Sequence, residues 1–145
     1  MDWATQPDPF RRLEGASLLP LPRPAGDRTP PYDQIYQVES IIPKSVEVDA
    51  ISALFFYSMA LSAWKRYRTN RWSLRVNPSS GNLHSTEVYL LSNAMPGLGD
   101  RPGIYHYAPK EHALERRSLI DLSTWSRLLE PFPHGAMLIG LTSIP

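Results

Sequence analysis

The sequence predicts an α/β (α+β) fold, and three observations lead there. An apolar-rich stretch at 45–65 is long enough for a firm helix. A β-rich run, Glu-Val-Tyr-Leu-Leu-Ser at 87–92, reads as a strand. Two further β-rich segments, 103–107 and 113–116, flank a Pro109-Lys110-Glu111 loop as the two arms of a hairpin would.

Taken in order, residues 1–44 show neither helical nor strand periodicity, and prolines recur through them at 7, 9, 20, 22, 24, 30, 31 and 43. They read as an extended arm lying over a surface, anchored by Trp3, Phe10, Leu18, Leu19 and Leu21. Residues 45–145 carry the helical and strand patterns. In the helix at 45–65, Ser45 is the expected N-cap, with Glu47 and Asp49 in the first turn. Its apolar residues cover most of the circumference, so burial all round is expected. The basic run at 65–72 would close it against the negative end of the dipole. A short helix at 123–130, with Ser123 as N-cap and Leu128 and Leu129 turned inward, precedes a final buried strand at 137–142.

Bulk properties exclude several classes. The formal charge is +1, too small for a field that draws the chain to nucleic acid or membrane. There are no cysteines, which removes disulfide frameworks, thiolate metal sites and cysteine nucleophiles together. The first residues are polar and proline-broken, unlike a signal peptide. The longest apolar stretch falls short of the ~20 residues that span a bilayer. A cytoplasmic protein fits these facts.

The most informative stretch is 75–87, reading R-V-N-P-S-S-G-N-L-H-S-T-E. Pro78 starts a turn, Ser79, Ser80 and Asn82 are local hydrogen-bonders, and Gly81 permits close backbone approach. Such a loop lines donors and acceptors along a rigid edge suited to a planar polar heterocycle. On composition alone it is an ordinary turn.

Pro78-Ser79-Ser80-Gly81-Asn82-Leu83-His84 and the strand after it are similar to the flavin loop of the nitroreductase-like FMN flavoproteins. Downstream, Gly103-Ile104-Tyr105-His106-Tyr107 and His112-Ala113-Leu114-Glu115 resemble a hairpin of the SagB-type dehydrogenase branch. The arm Asp2-Trp3-Ala4-Thr5-Gln6-Pro7-Asp8-Pro9-Phe10-Arg11-Arg12 resembles the N-terminal extension of that branch. The resemblance implies a mixed sheet flanked by helices, FMN as cofactor, hydride transfer through the flavin, a homodimer, and a small-molecule or peptide substrate. It implies flavin contacts from Pro78, Ser79, Ser80, Gly81, Asn82 and His84, with Arg75 neutralising negative charge. Two departures stand out. Pro43-Lys44-Ser45 is a weak counterpart of the family's phosphate-gripping segment, and the family domain runs on well past residue 145. The resemblance thus implies that residues 45–145 are the N-terminal half of a domain and that the chain is truncated.

Other candidates are weaker. The run Lys65-Arg66-Tyr67-Arg68-Thr69-Asn70-Arg71-Trp72 interleaves aromatics with charge, as nucleic-acid binders do, yet reads more simply as a solvated helix end. His84, His106, His112 and His134 lack metal-ligand spacing, and His106 and His112 are expected at the surface or half-buried. No catalytic acid or base stands out. A non-catalytic scaffold that keeps part of the fold is the alternative reading.

Overall fold

A computed structural model describes residues 8–26 and 30–144. Seven strands and two α-helices follow in the order β1 (Ser17–Pro20), α1 (Val48–Met59), β2 (Leu61–Tyr67), β3 (Asn70–Arg75), β4 (Thr86–Ser92), β5 (Gly103–Ala108), β6 (Ala113–Leu119), α2 (Leu122–Leu129) and β7 (Leu138–Ser143). Five strands form one sheet in the order β1-β6-β5-β4-β7, and β2 and β3 form a separate hairpin. The α+β architecture matches expectation, and every pairing among the described strands is antiparallel.

Alternation along the strands gives the five-stranded sheet two unlike faces. Val88, Leu90, Tyr105, Tyr107 and Leu114 share one face and pack with Ile51 and Phe55 of α1 and with Leu21 to form the core. Phe55 stacks on Tyr107 with ring centroids 4.8 Å apart. A side chain at Gly103, at the head of β5, would be crowded, because a Cβ there would meet the Tyr105 hydroxyl at 3.0 Å and the Ser118 carbonyl at 3.1 Å.

The other face carries Glu87, His106 and Glu115 from three adjacent strands, and it is charged yet closed to solvent. His106 is fully buried. Its Nδ1 lies 2.8 Å from Glu115, and its Nε2 bonds Glu87. A carboxylate only accepts, so a ring that donates from both nitrogens is an imidazolium. Burial works against that charge, but the hydrogen bonds and charges of Glu87 and Glu115 outweigh it and hold the His106 pKa above its ordinary value. The second oxygen of Glu115 takes the Arg12 Nε at 2.5 Å and the Leu13 amide at 3.2 Å. Arg12 also reaches Glu111 at 3.0 Å.

The arm is therefore bound on both faces of the sheet. Residues 9–13 cross the charged face, β1 pairs with β6 as an edge strand, and the chain then turns toward α1. There the Leu21 amide bonds the His112 carbonyl at 3.0 Å, and the Ser52 hydroxyl donates to the Pro22 carbonyl. Behind it runs a buried relay. Tyr107 donates to His112 Nδ1 at 2.8 Å, and His112 Nε2 donates to Ser52 Oγ at 2.8 Å. Burial keeps this imidazole neutral by lowering its pKa.

Several expectations are corrected. The arm contains β1 and a short 3-10 turn at Tyr32–Tyr36, and its anchors Phe10, Leu18, Leu19 and Leu21 are part or fully buried; Trp3 lies outside the described residues. The first helix covers Val48–Met59, follows Glu47 with no side-chain cap, and buries only Ile51, Ser52 and Phe55. Ser45 is not its cap. The chain turns extended at Ala60, so the basic run lies in the β2–β3 hairpin, where alternating side chains and a turn at Arg68 suit strand pairing. The second helix is capped by Asp121, which accepts from the Thr124 amide, and it buries Trp125 while Leu128 is exposed. The last strand is an open sheet edge with Leu141 exposed, because no strand covers its outer side among the described residues. His106 and His112 are core residues, since each ring finds buried partners for both nitrogens.

Two measurements check this packing. Replacing His106 by alanine leaves two buried carboxylates facing each other, so urea melts should show a loss on the order of 3–5 kcal/mol; a loss below about 1 kcal/mol would contradict the clamp. Stability should also peak at mildly acidic pH. The raised His106 pKa contributes fully below its unfolded value of 6.5 and is lost as pH rises through the folded value. Arg12 and His106 overcome burial to depress Glu115, whose contribution is present above 4.5 and lost as pH falls through its folded pKa. Thermal melts across pH should trace that dome and flatten in the His106 variant.

Candidate functional site

The stretch 73–84 runs from the end of β3 to just before β4, and the backbone there is held in an uncommon shape. Pro78 is exposed and Ser79 extended. Gly81, Asn82 and His84 then take positive φ values of 61°, 58° and 52°. Glycine does so freely and asparagine with little penalty, whereas histidine there is strained. Two bonds hold the shape. The His84 amide donates to Ser79 Oγ at 2.8 Å, and His84 Nε2 donates to Asn82 Oδ1 at 2.8 Å. The loop is thereby closed on itself. Ser80 and Gly81 face solvent, and the Asn82 amide nitrogen is left as a donor.

Within 73–84, four buried polar atoms have no hydrogen-bond partner: Ser73 Oγ, Arg75 Nε, Asn77 Oδ1 and His84 Nδ1. Buried polar atoms are rarely left this way, and each orphan needs a cause. Among the described residues every one of them falls within this twelve-residue stretch. Burial and the nearby charge of Arg75 lower the His84 pKa. A backbone hydrogen bond with Ser73 acts the other way and offsets part of that lowering.

Arg75 sits elsewhere than on the loop's open side. Its guanidinium donates to the Pro9 carbonyl, stands 5.6 Å from the Phe10 ring centroid, and faces the charge of Glu87. Burial lowers its pKa. The structure thus brings Ser79, Asn82 and His84 together and leaves Ser80 and Gly81 beside them, while the arm occupies Arg75. Sequence reasoning missed Ser73 and Asn77. Alternation along β3 does put Ser73 on the Arg75 side, which was the available signal.

A cleft of about 680 Å³ opens elsewhere, between residues 22–25 of the arm and residues 44–53, with Arg23 and Lys44 on its walls and no residue of the loop among its lining. No group of three or more histidines and carboxylates is placed to hold a metal among the described residues. No described helix is long and apolar enough to cross a membrane.

Removing the His84 ring should unlatch the loop. Substitution by alanine is expected to cost about 1 kcal/mol and to speed proteolytic cleavage within 78–84, whereas glutamine, which can still donate to Asn82, should restore most of the protection. Equal cleavage of all three proteins would show that the latch does not hold the loop.

Comparison with known protein families gives no match, and neither does comparison with curated proteins. Among solved structures, the chain is similar to the crystal structure of a protein from Anabaena variabilis provisionally assigned as a nitroreductase. The two share 28% identity, with a TM-score of 0.60 over 89% of this chain. The match spans 23% of the other chain, so this chain corresponds to about a quarter of that protein's length. The fold is nitroreductase-like.

Proposed function

We propose that the loop at 78–84 is the flavin-edge loop of an FMN-dependent oxidoreductase of the nitroreductase type, in the SagB-type dehydrogenase branch. The observation that carries the reading is the run of orphaned polar atoms at 73–84, in and next to a donor-rich loop whose Ser80 and Gly81 face solvent. The Ser79 and Ser80 hydroxyls, the free Asn82 amide nitrogen and the Gly81 backbone make a neutral set of donors and acceptors. The pyrimidine edge of an isoalloxazine alternates carbonyl acceptors with a ring N–H and calls for such a set. The residues present fit that group better than they fit a metal or a nucleophile.

In this reading Ser79, Ser80 and Asn82 hold the polar edge, and Gly81 admits it close to the backbone. His84 keeps the loop in register as a neutral ring. Pro78 sets the start of the turn. Arg75 supports the loop from below, and a direct contact with a phosphate would require residues 9–10 to move. Bound FMN would supply hydride chemistry at its N5 position, and the protein would bind, orient and exclude water. The substrate class is a small molecule or peptide, and the working form a homodimer.

Titration of the purified protein with FMN tests this. Quenching of flavin fluorescence and a rise in melting temperature are expected, and replacing Ser80 and Asn82 together by alanine should weaken binding about tenfold. Full-strength flavin fluorescence and an unmoved melting temperature in excess FMN would sink the redox reading and favour a non-catalytic scaffold.

A further inference from the structure

The outer part of the β2–β3 hairpin lies outside the hydrophobic core cluster. Residues 62–71 are all exposed, and the segment 60–76 carries five cations and no carboxylate. Cross-strand register sets Arg66 directly opposite Arg71, an arrangement that repels. Neither these two nor Lys65 and Arg68 lies within salt-bridge reach of a carboxylate among the described residues. Aromatic rings stand between them. Trp64 is 44% and Tyr67 62% exposed, and Trp72 is half-buried opposite Lys65. A sequence that places like charges face to face, with apolar rings between, sacrifices local stability at that point. The stack of Arg71 on Trp64 and the bond from Arg66 Nε to the Arg68 carbonyl offset part of it.

We propose that this hairpin is a docking element for an acidic, partly apolar segment of a peptide substrate. Charge complementarity supplies the first argument: four unpaired cations beside exposed aromatics match a segment that alternates carboxylates with apolar side chains. The aromatic faces supply the second. The Arg71 guanidinium covers the Trp64 ring at 4.2 Å, and Arg68 stands 5.3 Å from the Tyr67 centroid. Guanidinium groups stacked in this way keep fork edges that bind carboxylates bidentately. Position is the third. The Val76 amide bonds the Ala60 carbonyl at 2.9 Å, closing the hairpin's base two residues before Pro78. A segment held on the hairpin is thus tethered next to the candidate flavin loop. The word substrate rests on the redox reading; the docking itself does not.

The test measures fluorescence anisotropy of a short fluorescein-labelled peptide of glutamate, aspartate and leucine added to the full chain. Saturable binding to the wild type is expected. Arg66→Glu puts a carboxylate opposite Arg71, so it should keep or raise the melting temperature while weakening peptide binding about tenfold or more. A purely structural role predicts no such divergence. Lys65→Glu with Arg68→Glu, which alters the turn instead, gives the same readout independently should the first variant not fold. Failure of the wild type to bind the peptide overturns the proposal, as does binding that survives both substitutions. Tighter binding of a single-stranded oligonucleotide of equal charge also overturns it and assigns the hairpin to nucleic acid. FMN titration run on the same samples separates the two readings. Hairpin-dependent peptide binding without FMN uptake supports the docking and sinks the redox reading alone.

Discussion

One buried imidazolium, held between two carboxylates on neighbouring strands, fixes the geometry of everything near the candidate site. Glu87, His106 and Glu115 come from β4, β5 and β6, so their bonds set three strands side by side on the face away from the helix. A buried charge cluster is tolerable only when each member is paired. The pairing is completed from outside the sheet by Arg12 of the arm and from below by the charge of Arg75 on Glu87. The arm is thus a required part of the fold. Without it, Glu115 would keep one buried oxygen with neither of its partners.

The same constraint reaches the loop at 78–84. Glu87 is the second residue of β4, which begins two residues after His84. Arg75, the last residue of β3, is pinned by the arm. Both ends of the loop are therefore held by the charged face, while its middle is latched by His84 and open to solvent. A rigid frame around a donor-rich edge is what recognition of a planar heterocycle demands. The orphaned atoms at 73–84 break the rule that the other described side chains obey, and such breaks concentrate at functional sites.

Part of this was legible in the sequence. The strand at 87–92, the hairpin at 103–116 and the loop announced themselves through β-formers and turn residues, which act locally. The helix at 48–59 was visible, but its end was misplaced because Ala60-Leu61-Ser62 carries no breaker. The chain leaves the helix through cross-strand pairing with 70–75, a non-local cause. His106 and His112 looked peripheral for the same reason: their partners lie 5 to 60 residues away, on other elements. Ser73 and Asn77 became visible only once burial was known. A hydroxyl or an amide on a strand end signals nothing until its surroundings leave it without a partner.

The central claim is that the orphaned atoms around 73–84 are completed by a flavin. A crystal structure of the protein grown with FMN tests it most directly. The account predicts an isoalloxazine edge against Ser79, Ser80 and Asn82, with at least some of those orphaned atoms engaged through it. A flavin bound at a distance from this loop, with the same four atoms still unpartnered, would contradict it.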